Sequence, residues 1–272
     1  MTQRPAYLVV GYYVLAALLV LLAVGPAIWL VNVAVQPTDV ALDRVTPISK
    51  MTDQNFRGAL EQNLWRPIVN SIIVTVIQTS LNVLLAALAA YPLARMKFRG
   101  RSTLFVLILA TLMVPEQVIV IPLFVTIIDL NLADTLIAVF LPFSVTAFGI
   151  YLCRQAFLAI PLDIEEAARI DGAGALRVWW HVMLPLTRPT LATLAVFSMI
   201  GAWSNLLWPL IVLQDDRKYT LPVAITQLMS TFAANERYAY AASVLALVPM
   251  LVMYLVMQRW LQRGILAGAV KG

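Results

Sequence analysis

Glu116 and its neighbour Gln117 follow Met113-Val114-Pro115 in the middle of an otherwise uncharged run between Arg101 and Asp129. If that run crosses a bilayer, a charge near its centre costs about 2.5–3.5 kcal/mol on insertion scales, so the carboxyl group must face protein or water. There it can hydrogen-bond a polar solute or carry a proton. A protonated helix-packing hydrogen bond, or a place near the outer membrane boundary, explains it equally well. A second set, Ser204 and Asn205 beside Trp203 and Trp208, offers polar and aromatic groups suited to the mixed faces of a sugar. Polar groups also join membrane helices, at about 0.6 kcal/mol each, and for Ser204 or Asn205 alone that role suffices.

Most other chemistry is excluded. Cys153 is the single cysteine and His181 the single histidine, so neither an intramolecular disulfide nor a Cys/His metal cluster can form. No nucleophile stands in a convincing arrangement with a base, which argues against an enzyme. No G-x-x-x-x-G-K-[ST] phosphate cradle occurs among the eleven glycines, so ATP is not bound in that mode.

Residues 154–188 form the segment RQAFLAIPLDIEEAARIDGAGALRVWWHVMLPLTR. It reads as two short helices with a break. Asp163 and Glu166, three apart, have the form of a capping box, with Pro161 just before. Glu165 and Arg169 are spaced for an i,i+4 ion pair, and Ala167 and Ala168 leave a low surface for close approach. Gly172 ends the first helix, where a residue without Cβ turns left-handed cheaply. In the second helix Leu176, Trp179, Trp180 and Met183 form an apolar face, with Arg177 and His181 on the other side and Leu184-Pro185 closing it. That face must be covered, by the chain's own helix ends or by the lipid interface.

The elements that position these residues are membrane helices. The 272 residues are 61% hydrophobic and 12% charged, with a mean hydropathy of +0.86, against about 25% charged in soluble domains. Charges are absent between Arg4 and Asp39, Arg66 and Arg95, Asp134 and Arg154, Arg188 and Asp215, and Arg237 and Arg259. With the Glu116 stretch this predicts an all-α membrane protein of one domain with six spans, near residues 7–36, 67–94, 102–128, 135–158, 189–213 and 238–258. The first uncharged run, 34 residues long, exceeds a signal-peptide core and reads as a retained anchor. Twelve Lys and Arg fall on the side of both termini and seven on the other, so loop 159–188 and both ends are expected in the cytoplasm. The net charge of +5 thus reads as a topology signal, and no nucleic-acid partner is expected. Prolines inside the later spans, among them Pro115, Pro122, Pro142 and Pro209, free backbone carbonyls. Lipid tolerates these only beside a wet cavity or a neighbouring helix, which makes those spans candidates for lining a pathway.

Glu166-Ala167-Ala168, Asp171-Gly172-Ala173 and Leu184-Pro185 at their spacing resemble the EAA loop of binding-protein-dependent ABC import permeases. Val182, where that family usually has isoleucine, is a small departure. Met113-Val114-Pro115, Pro122-Leu123-Phe124, Asp134-Thr135, Leu207-Trp208-Pro209-Leu210 and the terminal Gly268-Ala269-Val270-Lys271-Gly272 are similar to the carbohydrate branch, the smaller permease of maltose and glycerol-phosphate importers. The resemblance implies a type I importer permease in a prokaryotic plasma membrane, moving a sugar or related polar solute such as glycerol phosphate. It implies a coupling helix seated on an ATPase, with Glu165, Glu166, Ala167, Ala168, Arg169, Asp171, Gly172, Trp179 and Pro185 as coupling residues. Asp215, Asp216, Arg217, Lys218 and Tyr219 would meet a solute-binding protein. The tail 264–272, with Gly268, Lys271 and Gly272, would reach the ATPases. Implied partners are a second homologous permease, two cytoplasmic ATP-binding subunits, an external solute-binding protein and lipid; ATP and Mg would be bound by those subunits, with no cofactor or metal in this chain. The competing class is a proton-coupled secondary transporter using Glu116.

Overall fold

The computed structural model describes residues 6–231 and 236–269, and among them every regular element is helical. In chain order the α-helices are α1 (Ala6–Ala34), α2 (Gln54–Glu61), α3 (Trp65–Arg95), α4 (Arg101–Ala110), α5 (Glu116–Asp129), α6 (Leu136–Phe140) and α7 (Ala147–Leu158). There follow α8 (Leu162–Ile170), α9 (Ala175–Val178), α10 (Leu184–Leu186), α11 (Arg188–Ser204), α12 (Leu207–Val212), α13 (Leu221–Thr231) and α14 (Arg237–Ala269). Three stretches are single helices long and apolar enough to cross a bilayer: Gly11–Ala34, Trp65–Arg95 and Arg237–Val256. Three more qualify only as bent pairs, so the described chain holds three to six candidate crossings.

The bends fall where the sequence removes helical hydrogen bonds. Between Arg101–Met113 and Glu116–Asp129 the axis turns by 104°. Pro115 lacks an N–H and crowds the residue before it, which holds Val114 extended at φ −88°, ψ 116°. The expected third span is therefore a broken element with Glu116 at the first turn after the break. A 43° bend separates Leu136–Phe143 from Ala147–Leu158, and Thr146 restarts the helix there by accepting from the Gly149 amide at 3.1 Å.

The chain divides into two compact units. The first comprises residues 1–65 and 224–248. In it the most apolar window of α1 is unburied, and the connection after α1 is stitched by side-chain amides. Asn55 donates to the carbonyls of Ala34 (3.0 Å) and Gln36 (2.8 Å), and Gln36 donates to that of Ala41 (2.9 Å).

The second unit, residues 66–223 and 249–272, carries the sites described below. One cluster packs Ala86, Ala87, Ala90 and Tyr91 of α3 against Cys153 and Phe157 of α7 and against Val178, Trp179 and Met183. The other gathers Val74, Ile127, Val139, Trp208 and Val212. Small residues let α3 and α7 approach closely: a Cβ on Gly149 would stand 3.0 Å from the Ala86 Cβ and 3.2 Å from Asn82 Oδ1.

Candidate functional site: a pinned surface helix and a polar cavity

Helix α8 starts two residues earlier than its acids suggest. Pro161, at φ −56° and ψ 141°, occupies the N-cap, and no side chain caps the helix, so the expected Asp163–Glu166 capping box does not form. Proline's fixed φ suits a helix start, and this moves Asp163 into the first turn. At the other end Gly172 adopts φ +79°. Its amide reaches the Arg169 carbonyl at 3.0 Å and that of Ala173 reaches Ala168 at 3.0 Å, a Schellman termination as expected.

Glu165 and Glu166, adjacent in sequence, have opposite fates. Glu166 is exposed, while Glu165 is only 3% exposed. The Tyr91 hydroxyl donates to Glu165 Oε1 at 3.0 Å, and Arg169 Nη2 reaches the same oxygen at 2.7 Å, the expected i,i+4 pair. Arg95 Nε lies 3.3 Å from Glu165 Oε2, a charge contact without hydrogen-bond alignment. The Arg95 guanidinium also donates to the carbonyls of Phe157 (2.7 Å) and Ile160 (2.5 Å). Glu165 thus fastens α8 to the end of α3, and Arg95 fastens both to the end of α7. The Tyr91 hydroxyl, then the Glu165 carboxylate, hold the Arg169 guanidinium above its ordinary pKa. The outer side of α8 carries Glu166, Ala167 and Ile170, the last 86% exposed.

The second loop helix differs from its expected face. Residues Trp179–Met183 form a π-helical turn between α9 and α10. That wider turn rotates the register, so Val178, Trp179 and Met183 are buried, whereas Leu176 and Trp180 are exposed. The Trp179 indole donates to the Ala87 carbonyl at 3.3 Å. Arg177 and His181 do share a side: with Ala168, Asp171, Ala173 and Val182 they line an open groove beside α8. Pro185 is the second residue of α10, which continues directly from the π-helical turn.

A cavity of about 240 Å³ lies among α3, α5, α7 and α11. Its polar lining is Gln78, Asn82, Glu116, Thr146, Ser198 and Asn205. Phe143, Phe148 and Phe197 add aromatic surface, the last two edge to face at 5.8 Å. Asn82 is its keystone: its oxygen accepts from the Thr146 amide (2.9 Å) and hydroxyl (3.1 Å), and its nitrogen donates to Ser198 Oγ (3.3 Å). Of the residues expected on a pathway, Glu116 and Asn205 reach this cavity. Gln117 and Ser204 are exposed and do not line it; the Ser204 hydroxyl donates back to the Ile200 carbonyl at 2.6 Å. Trp203 and Trp208 are buried, Trp208 completely, with its indole donating to the Ala138 carbonyl at 2.9 Å. Trp208 therefore braces the helices instead of lining the cavity. Gln78 and Asn82 escaped sequence reasoning, though Ser71, Thr75, Gln78 and Asn82 form a polar stripe at i, i+4, i+7 and i+11 on an apolar helix, and that was the signal.

At the far end of the unit, Asp134 ties the loop expected to meet a binding protein. Its carboxylate accepts from the amides of Gln214 (2.9 Å) and Asp215 (3.1 Å) and pairs with Lys218 Nζ at 2.6 Å. The Lys218 hydrogen bond holds the Asp134 carboxyl below the usual range, and Arg217 holds that of Asp215 down at about 2. Asp216–Lys218 form one 3-10 turn, and the Tyr219 hydroxyl donates to the Gln214 carbonyl at 3.3 Å. Of the tail, Gly268 falls within α14, and Lys271 and Gly272 lie outside the described residues.

Residues 82–267 match the family described as the binding-protein-dependent transport system inner membrane component. The chain belongs to that family. It is 32% identical over 262 residues, 94% of both chains, to the arabinooligosaccharides transport system permease protein AraQ of Halalkalibacterium halodurans. It is 36% identical over 200 residues to the sn-glycerol-3-phosphate transport system permease protein UgpE of Yersinia pestis, covering 73% of this chain and 71% of that one. In fold it resembles a chain of a bacterial ABC transporter involved in import of the acidic polysaccharide alginate, with a TM-score of 0.84 and 24% identity over 96% of this chain and 100% of that chain. A second alginate transporter structure, in complex with a periplasmic protein bound to an alginate pentasaccharide, matches at TM-score 0.68 and 17% identity, covering 94% of each chain. This chain is thus an ABC importer permease subunit, a multi-pass membrane protein.

Proposed function

We propose that this permease pairs with a second homologous permease and imports a sugar or related polar solute through a prokaryotic plasma membrane. Two cytoplasmic ATPase subunits binding ATP and Mg drive it, and an external solute-binding protein feeds it at Asp215, Asp216, Arg217, Lys218 and Tyr219. Both termini and loop 159–188 face the cytoplasm, in keeping with the bias of Lys and Arg. The tail residues Gly268, Lys271 and Gly272 are the second contact proposed for the ATPases. The solute class comes from the relatives, whose names specify arabinooligosaccharides and sn-glycerol-3-phosphate.

One observation carries the coupling role: α8 offers Glu166, Ala167 and Ile170 outward while Glu165 pins it from beneath to α3. A short helix held rigidly on one side and bare on the other transmits a push. ATPase closure displaces α8, and α3 and α7 follow through Glu165 and Arg95. The permease exchanges inward-open for outward-open states because ATP binding favours one of them. Deleting the Glu166 to Gly172 turn should leave an inserted chain that no longer co-purifies with an ATPase subunit. Unchanged co-purification would overturn the coupling role.

A further inference from the structure

We infer that the cavity around Gln78 and Glu116 is a subsite for a neutral polyhydroxylated ring, and that Glu116 makes this chain's part of the pathway discriminate against anionic solutes. This rests on the permease reading above and narrows it, since the named relatives of this chain include transporters of both a neutral oligosaccharide and a phosphate ester. Gln78 is 8% exposed, lines the cavity, and among the described residues its amide has no hydrogen-bond partner. Its amide atoms are not sealed in the packed interior but open onto the cavity, where a hydroxyl-bearing ligand can reach them. An amide can both donate and accept, as each sugar hydroxyl does.

Phe148 and Phe197, both exposed, present aromatic surface to the same space, suited to the apolar C–H face of a sugar ring. The charge pattern selects among polar solutes. Glu116 is the single ionisable group in the described lining, and no Lys, Arg or His accompanies it. Phosphate and uronate ligands call for cationic donors, and here they would meet a carboxylate in a partly dry space. At about 240 Å³ the cavity is smaller than the roughly 300–1,000 Å³ of a complete ligand site, which suits one ring in a path completed by the second permease.

The test uses the permease purified with the subunits it is expressed with, in nanodiscs, and equilibrium dialysis against arabinotriose, maltotriose, glycerol 3-phosphate and trigalacturonate. The neutral trisaccharides should bind more tightly than both anions, and Gln78→Leu should weaken them about tenfold or more. Glu116→Gln should keep neutral binding and raise the affinity for both anions, on the order of tenfold for the loss of one partly screened charge. A misfolded protein cannot produce that gain. The subsite is overturned if the anions bind as tightly as the neutral sugars, if Glu116→Gln leaves the discrimination unchanged, or if no neutral probe binds. A preparation that retains its ATPase while giving one of those results keeps the permease reading and loses only the subsite.

Discussion

Glu165 and Glu166 illustrate how one position of offset separates two jobs. Both were expected to meet an ATPase, yet on a helix adjacent residues point about 100° apart, and only Glu166 is free to do so. Glu165 instead ends in a buried cluster with Tyr91, Arg95 and Arg169. Removing one member of a buried charged cluster leaves the others uncompensated, at about 3–5 kcal/mol. Glu165→Ala should therefore lower the thermal unfolding temperature of the purified chain, while Glu166→Ala should leave it unchanged. A double-mutant cycle of Glu165→Gln with Tyr91→Phe should show a coupling energy of about 0.5–3 kcal/mol. Additive effects in that cycle would mean the two side chains act independently.

At the scale of elements, backbone breaks decide which side chains count. Pro115 turns a predicted straight crossing into two helices at 104° and delivers Glu116 to the cavity. The π-turn at Trp179–Met183 rotates one tryptophan inward and leaves its neighbour outside, a difference that the i, i+3, i+4 spacing does not contain. Trp179→Ala should cost about 3–5 kcal/mol of stability, as large-to-small changes in a packed core do. Trp180→Ala should change stability by less than about 0.5 kcal/mol, as exposed substitutions away from special features do. Comparable melting shifts for the two variants would mean that the turn is an ordinary α-helical one. The Asn82 bridge shows the same dependence on geometry: it forms because Gly149 lets α3 and α7 approach closely.

At the scale of the whole molecule, the proposed topology puts α8 and the Asp215–Tyr219 loop on opposite faces of the membrane. Cys153, the single cysteine, is buried in the core, so accessibility can be read from introduced cysteines against a silent background. In intact cells a membrane-impermeant maleimide should label Arg217→Cys and spare Ile170→Cys, with the order reversed in inverted vesicles stripped of their ATPase subunits. Labelling of Ile170→Cys from outside intact cells would invert the topology and remove α8 from any cytoplasmic partner.

The all-helical class, the two-helix form of the loop, the left-handed turn at Gly172 and the Glu165–Arg169 pair were all legible in the chain, because each depends on local spacing or on the conformational freedom of one residue. So was the family, from motifs spread over most of its length. Long-range packing decided the rest. Tyr91 meets Glu165 across 74 residues and Asn82 meets Thr146 across 64, and no local pattern states which helices touch. Tertiary structure buried Trp208, left Trp180 exposed and brought Gln78 beside Glu116. Burial of a side chain depends on what lies over it, and in a helical membrane protein that neighbour comes from elsewhere in the chain.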